Sequence, residues 1–286
     1  AGRMGIEIPL QRFNELSDTT PVLVNLKPVG DNYMEDFFAA GGMSAVFREL
    51  RPLLNEECLT VTGETLGERL DAMDDEFVDR KVIASAKEPL EAQGGLVALF
   101  GSLAPRGAIL KRSAADERLF EREGRAVVFN SLEDLAARID DPDLDVTADD
   151  FLVLQNAGPQ SASGMPEAGY LPIPSKLARQ GVKDMVRISD ARMSGTAFGT
   201  IVLHVTPEAS AGGPLGLVQN GDRIRISVSQ RRIDLLVEDA ELEARRAKLP
   251  ASAETPARGY SKLYAEQVLQ ADGGCDFRML RHPSLG

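Results

Sequence analysis

The chain has only two cysteines in 286 residues, Cys58 and Cys275, far apart and with neither a CxxC spacing nor a histidine-rich neighbourhood. Two such thiols are expected to be free, and by themselves they hold neither a zinc ion nor an iron–sulfur cluster. Histidine is equally scarce. His204 falls inside a strand-like run and reads as a structural residue rather than a ligand, while His282 lies in a tail, 275–286, that is expected to fray because nothing apolar and periodic ties it down. Positive charge is in deficit, with 32 Lys and Arg against 44 Asp and Glu, a net charge of −12. No nucleic-acid partner is expected, since phosphate binding needs a cationic surface that releases counterions. Long apolar runs are missing too: stretches such as 95–103 and 201–205 are too short to span a bilayer, and the first residues lack the charged, apolar, small-residue order of a signal peptide. The expectation is a cytoplasmic chain with no membrane partner.

What is present reads as a soluble globular protein of one or two domains, 43% hydrophobic and 27% charged. Residues 1–5 carry no initiation pattern, so the chain reads as beginning inside an architecture, as a fragment would. Helices are expected over 9–16, 33–40, 43–54 and 65–73, with a short strand candidate at 22–25. The acid-rich stretch 71–79 reads as a solvated face and is assigned no metal. Composition shifts between Lys81 and Gly95, where Lys87-Glu88-Pro89 and Gln93-Gly94-Gly95 look like a connector. Short strands then dominate, expected at 96–100, 108–111, 126–130, 151–155, 185–189, 200–205 and 216–219. Asn220-Gly221 predicts a hairpin turn. Ile224, Ile226 and Val228 alternate with Arg223, Arg225 and Ser227, as a strand buried on one face requires, and Ile233, Leu235 and Val237 repeat the pattern after a turn at Gln230-Arg231. Helices at about 239–248 and 260–270 close the chain. Many short strands with glycine-rich corners predict a closed or nearly closed barrel.

The least ordinary local chemistry lies in 186–218. Val186 and Ile188 form a strand that ends at Asp190, and 200–205 resumes one, which leaves Ser194 in a tight polar turn beside Gly195, Thr196 and Arg192. Such a turn exposes side chains and backbone amides together and suits a small polar ligand, although Ser and Gly also make plain turns. Asn156-Ala157-Gly158-Pro159 reads equally as a plain turn or as a source of amides for a substrate. Gly212-Gly213-Pro214 is not a phosphate loop, because no Gly-Lys-Ser/Thr follows.

Asp190-Ala191-Arg192-Met193-Ser194-Gly195-Thr196, followed by His204 to Ala209 and Gly212-Gly213-Pro214, resembles the C-terminal signature of the dihydroxy-acid and sugar-acid dehydratases, the IlvD/Edd family. The resemblance extends to Gly94-Gly95, to Gly101-Ser102-Leu103-Ala104-Pro105-Arg106-Gly107-Ala108, to Gly164-Met165-Pro166-Glu167, to Lys262-Leu263-Tyr264 and to Gln270-Ala271-Asp272, and covers only the C-terminal half of such an enzyme. It implies an α/β fold class: a β-barrel-like C-terminal domain of mixed strands with flanking helices at 91–286, preceded at 1–90 by a mainly helical remnant of the cluster-binding N-terminal α/β domain. It also implies a hydro-lyase that converts a 2,3-dihydroxy carboxylate to a 2-keto-3-deoxy acid, with a [2Fe–2S] cluster acting on the C3 hydroxyl and Mg²⁺ on the carboxylate and C2 hydroxyl. Ser194 matches the proposed base, Thr196 a hydroxyl lining the pocket, and Glu167 a magnesium ligand. The cluster cysteines belong to the missing N-terminal half, so the chain alone is expected to be inactive. Ala191, Met193 and Gly195-Thr196 resemble the aldonate branch, such as arabinonate dehydratases, more than the dihydroxy-acid or phosphogluconate enzymes. The partners implied are a sugar acid, the missing half, and a second copy in a dimer or tetramer. A barrel module that completes a partner subunit's site without catalysis of its own is the alternative of another class.

Overall fold

Residues 1–73, 77–167, 171–195, 198–248 and 256–285 are described by the computed structural model. The chain divides into two compact units, Asn14–Gly95 and Ala1–Phe13 with Leu96–Gly286. Helix α1 (Leu10–Thr19) runs from one sequence range into the other.

In the unit 14–95, α2 (Met34–Ala39) and α3 (Gly42–Leu50) are separated by Ala40 and Gly41; Gly41 and Gly42, the first residue of α3, are both at positive φ, which glycine adopts at little cost. Helix α3 stops four residues earlier than its apolar spacing suggests. Pro52 follows and has no N–H to continue the i→i−4 ladder, so the chain tightens into a 3-10 turn over Arg51–Leu53. Helix α4 (Leu66–Asp71) opens with a reciprocal cap: Thr65 Oγ1 accepts the Glu68 N–H at 3.2 Å while Glu68 Oε2 accepts the Thr65 N–H at 2.7 Å. Phe37, Ala40, Ala45, Val46, Val82 and Ile83 form this unit's core. The strand expected at 22–25 is reduced to single bridges from Val22 to Glu91 and from Val24 to Ile83.

The other unit is built on one eight-stranded mixed sheet: β1 (Leu96–Leu99), β2 (Gly107–Lys111), β3 (Glu121–Phe129), β4 (Phe151–Leu154), β5 (Arg187–Ser189), β6 (Ile201–Thr206), β7 (Arg223–Ser227) and β8 (Arg232–Leu235). The order is β1-β2-β6-β5-β4-β3-β7-β8, with β3 to β6 parallel to one another and the outer strands antiparallel. The two ends of this order meet. Phe100, just past β1, donates its N–H to Arg231 O at 2.9 Å and accepts the Ile233 N–H at 2.9 Å, so the sheet curls into a nearly closed barrel.

Alternation along the parallel strands sorts side chains into two cores. Ala126, Val128, Phe151, Val153, Ile188 and Val202 point into the barrel with Ile224, Ile226 and Ile233, whereas Val127, Phe129, Leu152, Leu154, Ile201 and Leu203 pack outward with Leu135 of α5 (Leu132–Arg138) and Leu177 of α6 (Ser175–Arg179). Parallel neighbours need crossovers, and α5 and α6 supply them between β3 and β4 and between β4 and β5. A strand covered on both faces reads as a continuous apolar run, which is the pattern of β4.

Three expectations fail locally. No strand forms at 216–219; Pro214–Leu217 is a 3-10 helix, so Asn220-Gly221 closes no hairpin. Instead, Asn220 Oδ1 accepts the Val128 N–H at 2.7 Å, and the Gly221 N–H, at φ +94°, reaches Ala126 O. The hairpin is β7 to β8, through Gln230-Arg231 with Arg231 at φ +56°. Nor does the tail fray. Val268 bridges Phe277, Asp276 pairs with Arg3 at 2.7 Å, and the His282 N–H donates to Gly2 O at 3.0 Å. Among the described residues no helix is long and apolar enough to cross a membrane. Helices α7 (Asp239–Arg246) and α8 (Gly259–Gln267) stand close to where their patterns place them.

Candidate active site

Because β4, β5 and β6 run parallel, the loops that leave their carboxyl ends emerge on one side of the sheet, where ligands of such sheets are commonly held. The loop after β4 carries Glu167, the loop after β5 carries Ser194, and the loop after β6 carries Glu208.

Asp190 ties these loops together. It is fully buried, and its two carboxylate oxygens accept the N–H of Ala157 at 2.8 Å and of Ala209 at 2.9 Å, one from each neighbouring loop. Glu208, also buried, accepts the Gln160 N–H at 2.9 and 3.0 Å and a side-chain N–H of Gln270, whose own Oε1 accepts the Glu208 N–H at 2.9 Å. A Cβ on Gly158 would stand 2.2 Å from Glu208 Oε2, so this turn accepts only glycine without a shift of the carboxylate. The amide of Ala157 is thus engaged by a protein carboxylate, and Asn156, at φ +56°, belongs to a turn.

Burial pushes Asp190 up to about 6 and Glu208 up to about 7, outweighing the amides that favour their charged forms; the charge of Asp190 adds to the effect on Glu208. A carboxyl group whose folded-state pKa is raised stabilises the fold fully below its unfolded value near 4, and that contribution is lost as pH rises through the folded value. Each group accounts for about 3 kcal/mol over its window. Resistance to urea is therefore expected to decline between pH 4 and pH 7, and in a Glu208→Gln variant the decline is expected to end nearer pH 6. A wild-type profile flat across this range would contradict the assignment.

Glu167 is reached through Gly164 and Met165, both at positive φ (+63° and +58°), with Met165 buried against Cys275. The chain then runs parallel to the Ser194 loop: the Arg192 N–H donates to Pro166 O at 3.2 Å, and Arg192 Nη2 stands 3.2 Å from Glu167 Oε1, both side chains about half exposed. Glu167 therefore lies beside a residue two positions before Ser194. An exposed pair of this kind contributes little to stability, so the carboxylate is available to other cations at small cost. Ser194 itself is partly buried, and Thr196 lies outside the described residues.

The residues on either side of Ser194 are each held by a side chain from the sheet. The Met193 N–H donates to His204 Nε2 at 2.9 Å, and Lys111 Nζ donates to Gly195 O at 3.0 Å. His204 sits in a bulge of β6, where His204 and Val205 face the single residue Ala108 of β2, and its φ is +55°. Burial, with a smaller push from Arg192, holds its pKa below the ordinary histidine value, consistent with a neutral ring whose Nε2 accepts. Burial likewise lowers Lys111. Arg187, seven residues before Ser194, is engaged elsewhere: it is buried and donates to Asp184 and Phe198 O, each at 3.0 Å. Lys111 escapes local reading, since only the pairing of β2 with β6 brings it to a loop more than eighty positions away.

Among the described residues no group of three or more His, Cys, Asp or Glu is arranged to hold a metal ion. Glu167 supplies one hard oxygen donor of the kind Mg²⁺ takes. Cys58 and Cys275 are free thiols, the first exposed and the second partly buried.

The family described as dihydroxy-acid/6-phosphogluconate dehydratase C-terminal matches residues 81–275, and its N-terminal counterpart matches residues 1–69. The chain is 44% identical over 283 residues to the L-arabinonate dehydratase of Rhizobium leguminosarum bv. trifolii (strain WSM2304), covering 98% of the chain and 48% of that relative. To the 6-deoxy-6-sulfo-D-gluconate dehydratase of Pseudomonas putida it is 45% identical over 284 residues, covering 98% and 49%. To the dihydroxy-acid dehydratase of Methanococcoides burtonii (strain DSM 6242 / NBRC 107633 / OCM 468 / ACE-M) it is 40% identical over 281 residues, covering 96% and 49%. The chain spans about half the length of these curated relatives.

Proposed function

Since the chain belongs to the dihydroxy-acid/6-phosphogluconate dehydratase family, we propose that it forms the C-terminal part of a hydro-lyase that converts a sugar acid, a 2,3-dihydroxy carboxylate, into a 2-keto-3-deoxy acid and water. The observation that supports this most directly is the side-by-side run of the Glu167 and Ser194 loops at the carboxyl ends of β4 and β5. In this reading Ser194 Oγ takes the proton from C2, the C3 hydroxyl departs as water, and the resulting enol becomes the 2-keto product. A C–H beside a carboxylate is a poor acid and a serine hydroxyl a weak base, so the step needs positive potential at both. Lys111 and Arg192 bring two fixed cations to the Ser194 loop from this chain. Mg²⁺, with Glu167 among its oxygen ligands, would supply further positive charge for the oxyanion that develops on the substrate. The ligands of a [2Fe–2S] cluster are assigned to the part of the relatives' length that this chain does not span.

Sugar acids are preferred over branched dihydroxy acids because Ala191, Met193 and Gly195 follow the aldonate pattern and because identity is higher to the relatives named for sugar acids. The test is a panel of aldonic acids offered anaerobically to the complete polypeptide, read as 2-keto acid formation. Turnover of one or more aldonates is the expected result. Turnover of only the branched dihydroxy acid would move the assignment to the amino-acid branch, and no turnover of either would sink it. The same reading gives a homodimer or a dimer of dimers, checked by mass in solution.

A further inference from the structure

We propose that Lys111 and His204 form a two-point cradle that fixes the backbone on both sides of Ser194, and that they act as positioning residues for its hydroxyl. The inference rests on the reading of Ser194 as the base. Its geometric part is the pair of contacts that bracket the serine, His204 Nε2 on the Met193 N–H at 2.9 Å and Lys111 Nζ on the Gly195 carbonyl at 3.0 Å.

The need for such a cradle follows from the loop itself. Gly195 is exposed, and a Cβ built on it would touch nothing within 4 Å, so its own surroundings do not restrict it. Glycine has the widest backbone freedom of any residue, and a base whose next neighbour is a loose glycine would wander by more than proton transfer tolerates. The sheet supplies what the loop lacks. Strands β2 and β6 pair with Leu110 opposite Val202 and Ile109 opposite Leu203, which places Lys111 and His204 on adjacent, rigidly hydrogen-bonded supports. Both residues accept a cost to be there. His204 occupies a left-handed backbone conformation that a residue with a Cβ ordinarily avoids, and Lys111 gives up part of the hydration an exposed ammonium keeps. A neutral acceptor on the peptide that enters Met193 and a cationic donor on the peptide that leaves Gly195 bracket the segment between them and limit its rotation. The same His204 also donates its backbone N–H to Ala191 O at 2.9 Å, a third tie on the run that leads to Ser194.

The experiment uses the holoenzyme and four variants: Lys111→Met, Lys111→Arg, His204→Leu and His204→Gln. Hydrogen exchange of the peptide covering 191–195 is followed alongside kcat and KM. Lys111→Met and His204→Leu are expected to accelerate exchange in that peptide several-fold and to lower kcat by about 10²-fold, the loss typical of a small misplacement of a reacting group, with KM changed by less than about threefold. Lys111→Arg and His204→Gln, which keep a donor and an acceptor respectively, are expected to recover most of kcat. Unchanged exchange in both Lys111→Met and His204→Leu overturns the cradle, whatever happens to rate. A fall in kcat without a change in exchange overturns the positioning role as well. If one of these two variants does not fold, the other and the two conservative variants decide on the same criteria. Should the wild-type enzyme turn over no dihydroxy acid, the reading of Ser194 as base fails, and the exchange result still judges the cradle on its own.

Discussion

Ser194→Ala is expected to lower kcat for dehydration by about 10³-fold or more while leaving the melting temperature and the secondary structure unchanged. The size follows from what a positioned base contributes, 10² to 10⁴ in rate. The neutrality of the fold follows from placement. Ser194 is on a loop and outside both cores of the sheet unit, and substitutions of this kind stay within about 0.5 kcal/mol. The measurement is kcat of the complete enzyme on its best aldonate, with substrate affinity determined separately by calorimetry so that binding and proton transfer are told apart. Near-normal turnover would remove Ser194 from the role of base and would direct attention to another residue of the same loops.

The second large effect concerns stability. Asp190→Ala is expected to cost about 4 kcal/mol at pH 5, because the Ala157 and Ala209 amides would each be left buried without an acceptor, at 1 to 3 kcal/mol apiece, and a small cavity would open among the three loops. An opposing term exists. Burial of the charge already works against the wild type as its carboxyl ionises near pH 6, and the variant is spared that cost. The difference between the two proteins is therefore expected to shrink by roughly 1 kcal/mol between pH 5 and pH 7. Denaturation by urea at the two pH values checks both the sign and the trend. A variant as stable as the wild type at pH 5 would mean that the two amides find other partners. Because the loops that carry Glu167 and Ser194 flank this residue, loss of activity in Asp190→Ala would accompany loss of stability, in contrast to Ser194→Ala.

Much of the barrel is readable from pattern alone. The apolar run at 151–154 and the alternation of Ile224 and Ile226 stand as strands, and the other expected short strands form except the one at 216–219. Pattern misleads where a local signal serves a distant partner. Asn220-Gly221 has the letters of a hairpin, yet its groups bind β3, which lies more than ninety positions upstream. Strand β3 starts at Glu121 rather than 126 because its first five residues pair with β7, a partner no local window contains. Helix α5, only seven residues long between two strands, is too short to show a helical period although Ser131 caps it. In the candidate site, Ser194 and Glu167 stand out through their resemblance to a family motif, and Asp190 belongs to the same motif without its role being legible. Lys111 and the inward contact of His204 are set by strand register and a bulge, which sequence periodicity does not encode.

The hydrogen bonds between Phe100 and the β7–β8 hairpin also bear on how the sheet behaves toward other molecules. A strand row that ends in unsatisfied amides and carbonyls invites pairing with any extended peptide, which is a common route to fibres and exchanged dimers. Here the first and last strands of the order occupy each other's vacant positions near that corner. Disrupting the Phe100 junction would unzip two vulnerable margins at once, so clumping during expression is expected to be a more sensitive sign of damage there than any change in the loops that carry the chemistry.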